Sequence, residues 1–358
     1  MSVVAYTVVG VPVDPTNNHD AYFREVMRSP VNAASELRAV LPESVVALVD
    51  WGVLEPQSAS FVSAELQSRY SDVLFRTRLD GHDGFIYLLI EHQSRSDPLM
   101  ALRILEYVVR IWNHYLTDVP AARSVPAVLP LVVHCNPAGR RWTAAMDIFD
   151  LIDLSPGARA VAEPYLPRFR YVLDDISGVD VDRLSARGLT PQALLMLALI
   201  KIVPANVDLA AGLGGLVDVV GAVLGAPGGL RDFQVALAYI IRVGDIDPAE
   251  LEAFTDQLGP VAKEAFVTTA EMLEARGRRE GKIEGKIEGK IEGKIEGKIE
   301  GKIEGKIEGR ADVLLEQLTL KFGSLPDRVV AAVRAGSIEQ LQRWTVEVLT
   351  AGRLDEIF

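Results

Sequence analysis

Residues 71–93 read SDVLFRTRLDGHDGFIYLLIEHQ, and this stretch decides the fold. Two runs rich in β-branched and aromatic residues flank DGHDG, whose residues favour tight turns, so we predict a β-hairpin. The second run carries no charge over residues 85–90, which is typical of a buried strand. It nevertheless ends in three polar residues, Glu91, His92 and Gln93, which call for a chemical explanation.

The alternation of side chains along paired strands groups some of these polar residues on one face. A turn of two or four residues centred on 82–83 places Asp72 opposite Gln93. The same turn places Leu74 opposite Glu91. Asp72, Glu91 and Gln93 then share a face at the open end of the hairpin, whereas an odd loop length would move Asp72 to the other face.

Two neighbouring carboxylates with no lysine between them repel each other and are costly to bury unpaired. A divalent cation held by Asp72 and Glu91 removes that cost. Because the ligands are oxygen atoms, Mg²⁺ or Mn²⁺ is the expected ion, with positions left open for water and phosphate. Such an ion stabilises developing charge on a phosphate and generates hydroxide near neutral pH. The pattern therefore indicates metal-assisted hydrolysis at a phosphate group.

The composition limits the classes of function. The 358 residues are 49% hydrophobic and 24% charged, which is enough for a sizeable core. A formal net charge of -12 argues against general binding of nucleic acid, so contact with DNA would need a local basic patch. The lone Cys135 cannot form an intramolecular disulfide and is expected to pack in or near the sheet. We expect a cytoplasmic protein without a signal peptide or membrane span.

The order of the predicted elements indicates an α/β sheet domain. Helical patterns fill residues 18–50, and β-type patterns follow at 59–66 and in the hairpin. A helix is predicted at 98–116 and an apolar strand at 126–136. This strand-helix-strand crossover should make the last strand parallel to the second hairpin strand. The remainder is mainly helical, with one further strand candidate at 168–176.

A tetrapeptide, GKIE, is repeated seven times in residues 281–308. Its period exceeds the helical period of about 3.6 residues, and it places a glycine in every turn and like charges four residues apart. We therefore favour a solvated linker, with a helix stabilised by self-association as the alternative. Residues 311–358 predict three short amphipathic helices, broken at 323–326 and at 335–336.

The hairpin and its surroundings resemble a known nuclease core. Asp72 followed by Glu91-x-Gln93, in an αβββαβ order, is similar to the PD-(D/E)xK core, with glutamine where lysine is usual. The linear motif EHQS, followed by DPLMALR, resembles the recombination-promoting nucleases, also described as YhgA-like transposases. The resemblance covers roughly residues 17–180.

The resemblance implies a metal-dependent DNA endonuclease whose breaks promote recombination. Asp72 and Glu91 would hold Mg²⁺ or Mn²⁺, and Gln93 would orient the attacking water. Some members of the broader superfamily have a further acidic residue before the hairpin, and the resemblance implies that Glu36 could be that residue. The implied domains are a PD-(D/E)xK-like core at 1–180, a helical extension at 181–276, the repeat at 277–310 and a helical module at 311–358.

Other interpretations of the same residues stay open. The chain could be a catalytically weak or inactive scaffold that binds DNA or protein, with the repeat and the C-terminal helices as its assembly device. His92 is expected to be structural, and Asp174 and Asp175 are expected to be solvated acids at a strand end. Self-association is also open, because cleavage of both DNA strands by one site per chain would favour a dimer. Several arginines could follow a DNA backbone or form ordinary surface ion pairs: Arg76, Arg78, Arg95, Arg103 and Arg110.

Overall fold

The computed structural model describes residues 18–57, 73–91, 96–136, 138–204 and 208–358, with the backbone alone at Ile90, Glu91 and much of the repeat. The chain divides after Leu273 into two compact units. The first unit is a mixed α/β structure, and the remainder of the chain is mostly helical. This confirms the predicted α/β class.

The first unit is built around a sheet whose described strands run in the order β1-β2-β3-β4-β5. Neighbouring strands pair antiparallel from β1 to β3 and parallel from β3 to β5, which confirms the predicted parallel crossover. The predicted strand at 59–66 lies outside the described residues. The strands are β1 (Glu55–Pro56), β2 (Val73–Leu79), β3 (His82–Glu91), β4 (Ala127–His134) and β5 (Val172–Asp175).

The hairpin between β2 and β3 is present, but its turn lies two residues earlier than predicted. Asp80 and Gly81 form the turn with φ of 51° and 78°, the positive values that a two-residue primed turn requires. Leu74 consequently pairs with Tyr87, and the predicted pairing of Leu74 with Glu91 is wrong. The register differs by four residues, an even number, so the correction does not change which described positions share a face.

The helices of the first unit confirm the main predicted helical segments. The helical patterns at 18–50 correspond to α1, α2 and α3, and the helix predicted at 98–116 is α4. The helices are α1 (Asn18–Met27), α2 (Pro30–Val40), α3 (Glu43–Val46), α4 (Met100–Asp118), α5 (Pro156–Ala162), α6 (Val181–Ser185), α7 (Pro191–Ile202), α8 (Leu209–Gly214), α9 (Val217–Gly225), α10 (Gly229–Val243), α11 (Pro248–Gln257) and the first turns of α12 (Pro260–Phe322).

Helices cover both faces of the sheet. On one face, which we call the α4 face, Tyr87, Leu89 and Val132 pack against the buried stripe of α4. On the opposite face, Phe75 and Leu131 belong to a larger core that includes α1, α2 and α7. Burial on both faces explains why β3 and β4 read as continuous apolar runs. It also leaves the strand ends as the places where polar side chains gather.

Helix α7 is apolar on nearly all sides and is buried accordingly. Its N-cap residue, Thr190, accepts a hydrogen bond from the amide of Ala193 and donates one to Asn32 Oδ1 at 2.8 Å. Asn32 lies inside α2, where its amide group also donates to the carbonyl of Val26. These bonds fasten the start of α7 to α2, which carries Glu36, a member of the polar cluster described below.

The second unit contains the repeat as part of α12 and not as a flexible coil. Helix extension is far easier than nucleation, so helical turns on either side of the repeat favour its continuation as a helix. The end of α12 packs with α13 (Asp327–Arg334) and α14 (Ile338–Thr350) around Leu314, Leu341 and Trp344. The predicted breaks between these helices are confirmed, and a capping box formed by Ser337 and Gln340 begins α14.

Candidate active site

The predicted ligand Glu91 stands at the carboxyl end of β3, in a row of paired positions that crosses the sheet. Glu91 pairs with His134 on β4, and His134 pairs with Asp175 on β5. The first residue of β2, Val73, pairs with Leu88 and therefore begins at the same edge. We call this edge the carboxyl edge. Carboxyl ends of parallel strands are the usual location of ligand sites in open α/β sheets.

The other predicted site residues lie outside the described residues. Asp72, which precedes β2, and Gln93, which follows β3, are both among them, as is His92. At Glu91 the structure describes the backbone alone. Among the side chains that the structure describes, no group of three or more histidine, cysteine, aspartate or glutamate residues could hold a metal ion. The assignment of Asp72 and Glu91 as ligands and of Gln93 as the residue that orients water therefore stays a prediction.

On the α4 face of the carboxyl edge, Asp175 is held by several hydrogen bonds. Its carboxylate accepts from the amide of Trp142 at 2.9 Å and from the amide of Ser177 at 3.2 Å. Burial would raise the pKa of Asp175, but the hydrogen bonds from Trp142 and Ser177 and the nearby His134 outweigh it and lower that pKa below its ordinary value. Asp175 is therefore ionised over the whole neutral range.

His134 is buried on this face, with its ring edge-on to the ring of Trp142. The ring centroids are 4.8 Å apart and the planes cross at 70°. Trp142 is fixed in turn by a hydrogen bond from its indole nitrogen to the carbonyl of Ala144. The segment after β4 is thus anchored by Asp175 and His134, two residues at the ends of parallel strands.

On the opposite face of the same edge, Asp174 forms a buried cluster with Arg187 and Glu36. The guanidinium of Arg187 donates to both carboxylate oxygens of Asp174, at 2.7 and 3.1 Å. Nη1 of Arg187 lies 4.0 Å from Oε1 of Glu36, whose side chain is fully buried. Burial, followed by the charge and hydrogen bond of Asp174, raises the pKa of Glu36 well above its ordinary value, although Arg187 opposes the shift.

The expectation of solvated acids at the end of β5 is therefore wrong for both residues. Asp174 is buried in an ion pair, and Asp175 is mostly buried and hydrogen-bonded. Sequence reasoning missed Arg187 and Trp142, because neither belongs to a motif, and they reach the strand end from segments outside the strand, 13 and 33 residues away in the chain. The signal that could have been used is the adjacency of two acids at the end of an apolar strand, since buried acids need partners.

Two of the arginines considered as contacts to a DNA backbone form ion pairs with acidic neighbours. Nη2 of Arg76 lies 3.2 Å from Asp83 across the hairpin, and Arg103 forms a close ion pair with Asp97. The alternative of ordinary ion pairing therefore holds for these two residues. Arg95 lies outside the described residues.

Cys135 follows β4 and is fully buried, as predicted. Burial is the main cause that raises the pKa of its thiol to about 12, and the negative charges of Asp174 and Asp175 act in the same direction, while Lys201 opposes them. The thiol therefore stays protonated and is a packing group, not a nucleophile.

A family model described as "Putative transposase, YhgA-like" matches residues 17–224 of the chain. The chain belongs to this family. The matched region contains both motifs from which the resemblance was inferred, and it includes every described strand of the sheet. Membership in the YhgA-like family is thereby confirmed.

Three curated relatives extend the comparison. The recombination-promoting nuclease RpnA of Escherichia coli (strain K12) is 28% identical over 275 residues, which are 73% of this chain and 85% of that protein. The recombination-promoting nuclease RpnD of Escherichia coli O157:H7 is 34% identical over 116 residues, or 32% of this chain and 44% of that protein. The inactive recombination-promoting nuclease-like protein RpnE of strain K12 is 29% identical over 277 residues, or 74% and 83%.

These relatives include proteins named as nucleases and one named as inactive, so the family alone does not decide whether this chain is an enzyme. No solved structure matches the chain. Among the described residues, no helix is both long and apolar enough to cross a membrane.

Proposed function

We propose that this protein is a metal-dependent DNA endonuclease with a PD-(D/E)xK-type site at the carboxyl edge. Asp72 and Glu91 would hold Mg²⁺ or Mn²⁺, and Gln93 would orient the water that attacks a phosphodiester bond. The ion, when bound, supplies Lewis-acid stabilisation of the phosphate and lowers the pKa of water.

The observation that carries the proposal is the position of Glu91 at the carboxyl end of β3, next to two parallel strands. The relation to RpnA and RpnD, which are named as nucleases, supports the same reaction. An all-oxygen donor set suits a hard divalent cation. The buried, hydrogen-bonded surroundings of His134 and Asp175 supply a rigid edge on which such a site can be held.

The glutamine at position 93 has a chemical consequence. An amide can accept from or donate to a water molecule, but it carries no charge and cannot lower the pKa of that water as an ammonium group does. Cleavage should therefore depend more on the metal than in a lysine-containing site. Gln93→Lys is expected to retain or raise cleavage, whereas Gln93→Ala should lower it by about ten- to a hundredfold.

The direct test is incubation of the purified protein with supercoiled plasmid in Mg²⁺, Mn²⁺ or EDTA. Asp72→Ala and Glu91→Ala should abolish metal-dependent nicking, while Glu106→Ala, an exposed acid on α4, should leave it unchanged. Circular dichroism of each variant confirms that the fold is retained. Cleavage by folded Asp72→Ala protein at the wild-type rate would refute the proposal.

The second candidate is a catalytically inactive scaffold that binds DNA or protein. The missing lysine and the relative RpnE, which is named as inactive, favour it. Titration of Mn²⁺ into the protein separates the two candidates, because a scaffold has no requirement for metal at Asp72 and Glu91. Binding of Mn²⁺ that is lost in both alanine variants supports the nuclease.

A further inference from the structure

Two arginines follow β4 and lie at the carboxyl edge, near the proposed site. Nη1 of Arg141 lies 4.0 Å from Oδ2 of Asp175, which is two strands away from Glu91 in the same row of paired positions. Neighbouring strands are about 4.8 Å apart, so the Cα atoms of Asp175 and Glu91 are about 10 Å apart. That separation corresponds to about three nucleotides along one DNA strand, which rises about 3.4 Å per nucleotide.

The backbone that carries these arginines is fixed on both sides. The amide of Trp142, next to Arg141, donates to Asp175 at 2.9 Å, and the Trp142 ring lies against His134. On the other side, the amide of Arg140 donates to Oδ1 of Asn136 at 3.4 Å. The two arginine side chains therefore extend from an anchored segment.

The side chain of Arg141 packs against Gly178 and is still largely exposed to solvent. It lies directly over Gly178, where an added Cβ would come within 2.6 Å of its Cζ. Its side chain is 63% exposed, and its distance of 4.0 Å from Asp175 is too long for a hydrogen bond. Its donors therefore remain available to a ligand, in contrast to those of Arg187, which are used by Asp174 on the opposite face.

Arg140 adds a second positive charge next to Arg141 at the carboxyl edge. Its side chain is exposed, and it forms no ion pair within the part of the chain that the structure describes. A planar guanidinium presents paired N–H donors that match two oxygens of a phosphate, and such contacts are stronger than neutral hydrogen bonds. The two arginines supply positive charge of the kind that an acidic protein needs locally for contact with DNA.

We infer that Arg141, assisted by Arg140, binds a backbone phosphate of the DNA substrate a few nucleotides from the bond that is cleaved. The inference rests on the proposed nuclease function and names residues that position its substrate. Arg141 acts as a phosphate contact and not as a group in the chemical step, so its loss should weaken DNA binding while metal binding at Asp72 and Glu91 is retained.

The test measures binding of a fluorescent duplex by anisotropy in EDTA, where cleavage cannot occur, at several salt concentrations. Arg141→Ala should weaken binding by about three- to tenfold and reduce the slope of log K against log salt by about one. The control is Arg123→Ala, an exposed arginine just before β4 and hence at the opposite edge of the sheet, which should change neither quantity. Arg141→Gln, which keeps a long polar side chain, replaces the alanine variant if that variant does not fold.

Parallel plasmid cleavage in Mg²⁺ separates failure of this inference from failure of the proposed function. Metal-dependent cleavage by wild-type protein, with equal binding by wild-type and Arg141→Ala proteins, would overturn the phosphate contact alone. Absence of cleavage, with binding weakened by Arg141→Ala and not by Arg123→Ala, would overturn the nuclease and retain the contact. Weakened binding together with intact wild-type cleavage supports both.

Discussion

Asp174 and Asp175 end the same strand, yet the two carboxylates lie in opposite surroundings. Asp174 faces α2 and is buried in an ion pair with Arg187, beside the buried Glu36. Asp175 faces the α4 side and is held by backbone amides, near a partly solvated arginine. Neighbouring residues on a strand point to opposite faces, so one step along the chain separates a structural cluster on one face of the carboxyl edge from a face suited to ligand binding.

Removal of Arg187 from the buried cluster should cause the largest decrease in the free energy of unfolding. Arg187→Ala leaves the Asp174 carboxylate buried without its cation, and breaking a buried pair in this way costs about 3–5 kcal/mol. We expect a matching decrease in the free energy of unfolding, measured by urea denaturation of the full chain.

The control for Arg187→Ala is Arg183→Ala, which removes an exposed arginine near Asp180 on α6. This variant should change the free energy of unfolding by less than about 0.5 kcal/mol. Equal free energies of unfolding of the Arg187→Ala and wild-type proteins would show that the buried cluster around Asp174 does not stabilise the fold.

A smaller loss is expected from Asp175→Asn. The lowered pKa of Asp175 means that its ionised form stabilises the folded state above the ordinary carboxyl pKa, and this stabilisation is lost as the pH falls through the folded-state pKa. Asparagine should therefore cost about 1–2 kcal/mol at pH 7 and progressively less below about pH 4. Urea denaturation at a series of pH values measures the difference in free energy of unfolding between Asp175→Asn and wild type. A difference that does not change with pH would contradict the lowered pKa of Asp175.

Glu36→Gln should have the smallest effect, and it should stabilise the protein. The raised pKa means that folded Glu36 keeps a proton that the unfolded chain releases above about pH 4.3, so this residue lowers stability as the pH rises toward the folded-state pKa. Glutamine cannot ionise and can still donate to Asp174. We expect a gain of about 1 kcal/mol at pH 7.5 that disappears near pH 4, measured by thermal or urea unfolding. A variant with the wild-type pH dependence would show that Glu36 does not hold this proton.

Local sequence chemistry predicted the sheet well but not its register. Alternation and apolar runs identified β2, β3 and β4. The predicted hairpin made β2 antiparallel to β3, and the crossover rule made β4 parallel to β3. The turn was misplaced because DGHDG contains two segments with turn chemistry, and only the backbone of Asp80 and Gly81 decides between them. Local propensities do not include the cross-strand residue pairs on either side of the turn, and these pairs fix the choice.

The candidate site was predictable only in part, for a physical reason. The position of Glu91 at the end of β3 follows from the pattern of the strand itself. The partners of Asp174 and Asp175 do not, because Arg187 and Trp142 reach them through tertiary packing from segments outside the strand. The helix through the repeat was the alternative prediction and not the favoured one for a related reason, since per-residue propensity does not include the lower cost of extending an existing helix.

The tetrapeptide repeat within α12 has a consequence for inheritance. Each GKIE unit corresponds to a whole number of codons, so gain or loss of a copy by replication slippage keeps the reading frame. In a helix, each added unit would lengthen the second unit by about 6 Å and turn the residues that follow by about 40° relative to those before. Variation in copy number would thus change, in fixed steps, the spacing and orientation of the C-terminal helices relative to the residues of the same unit that precede the repeat. The sequence of these helices would not change.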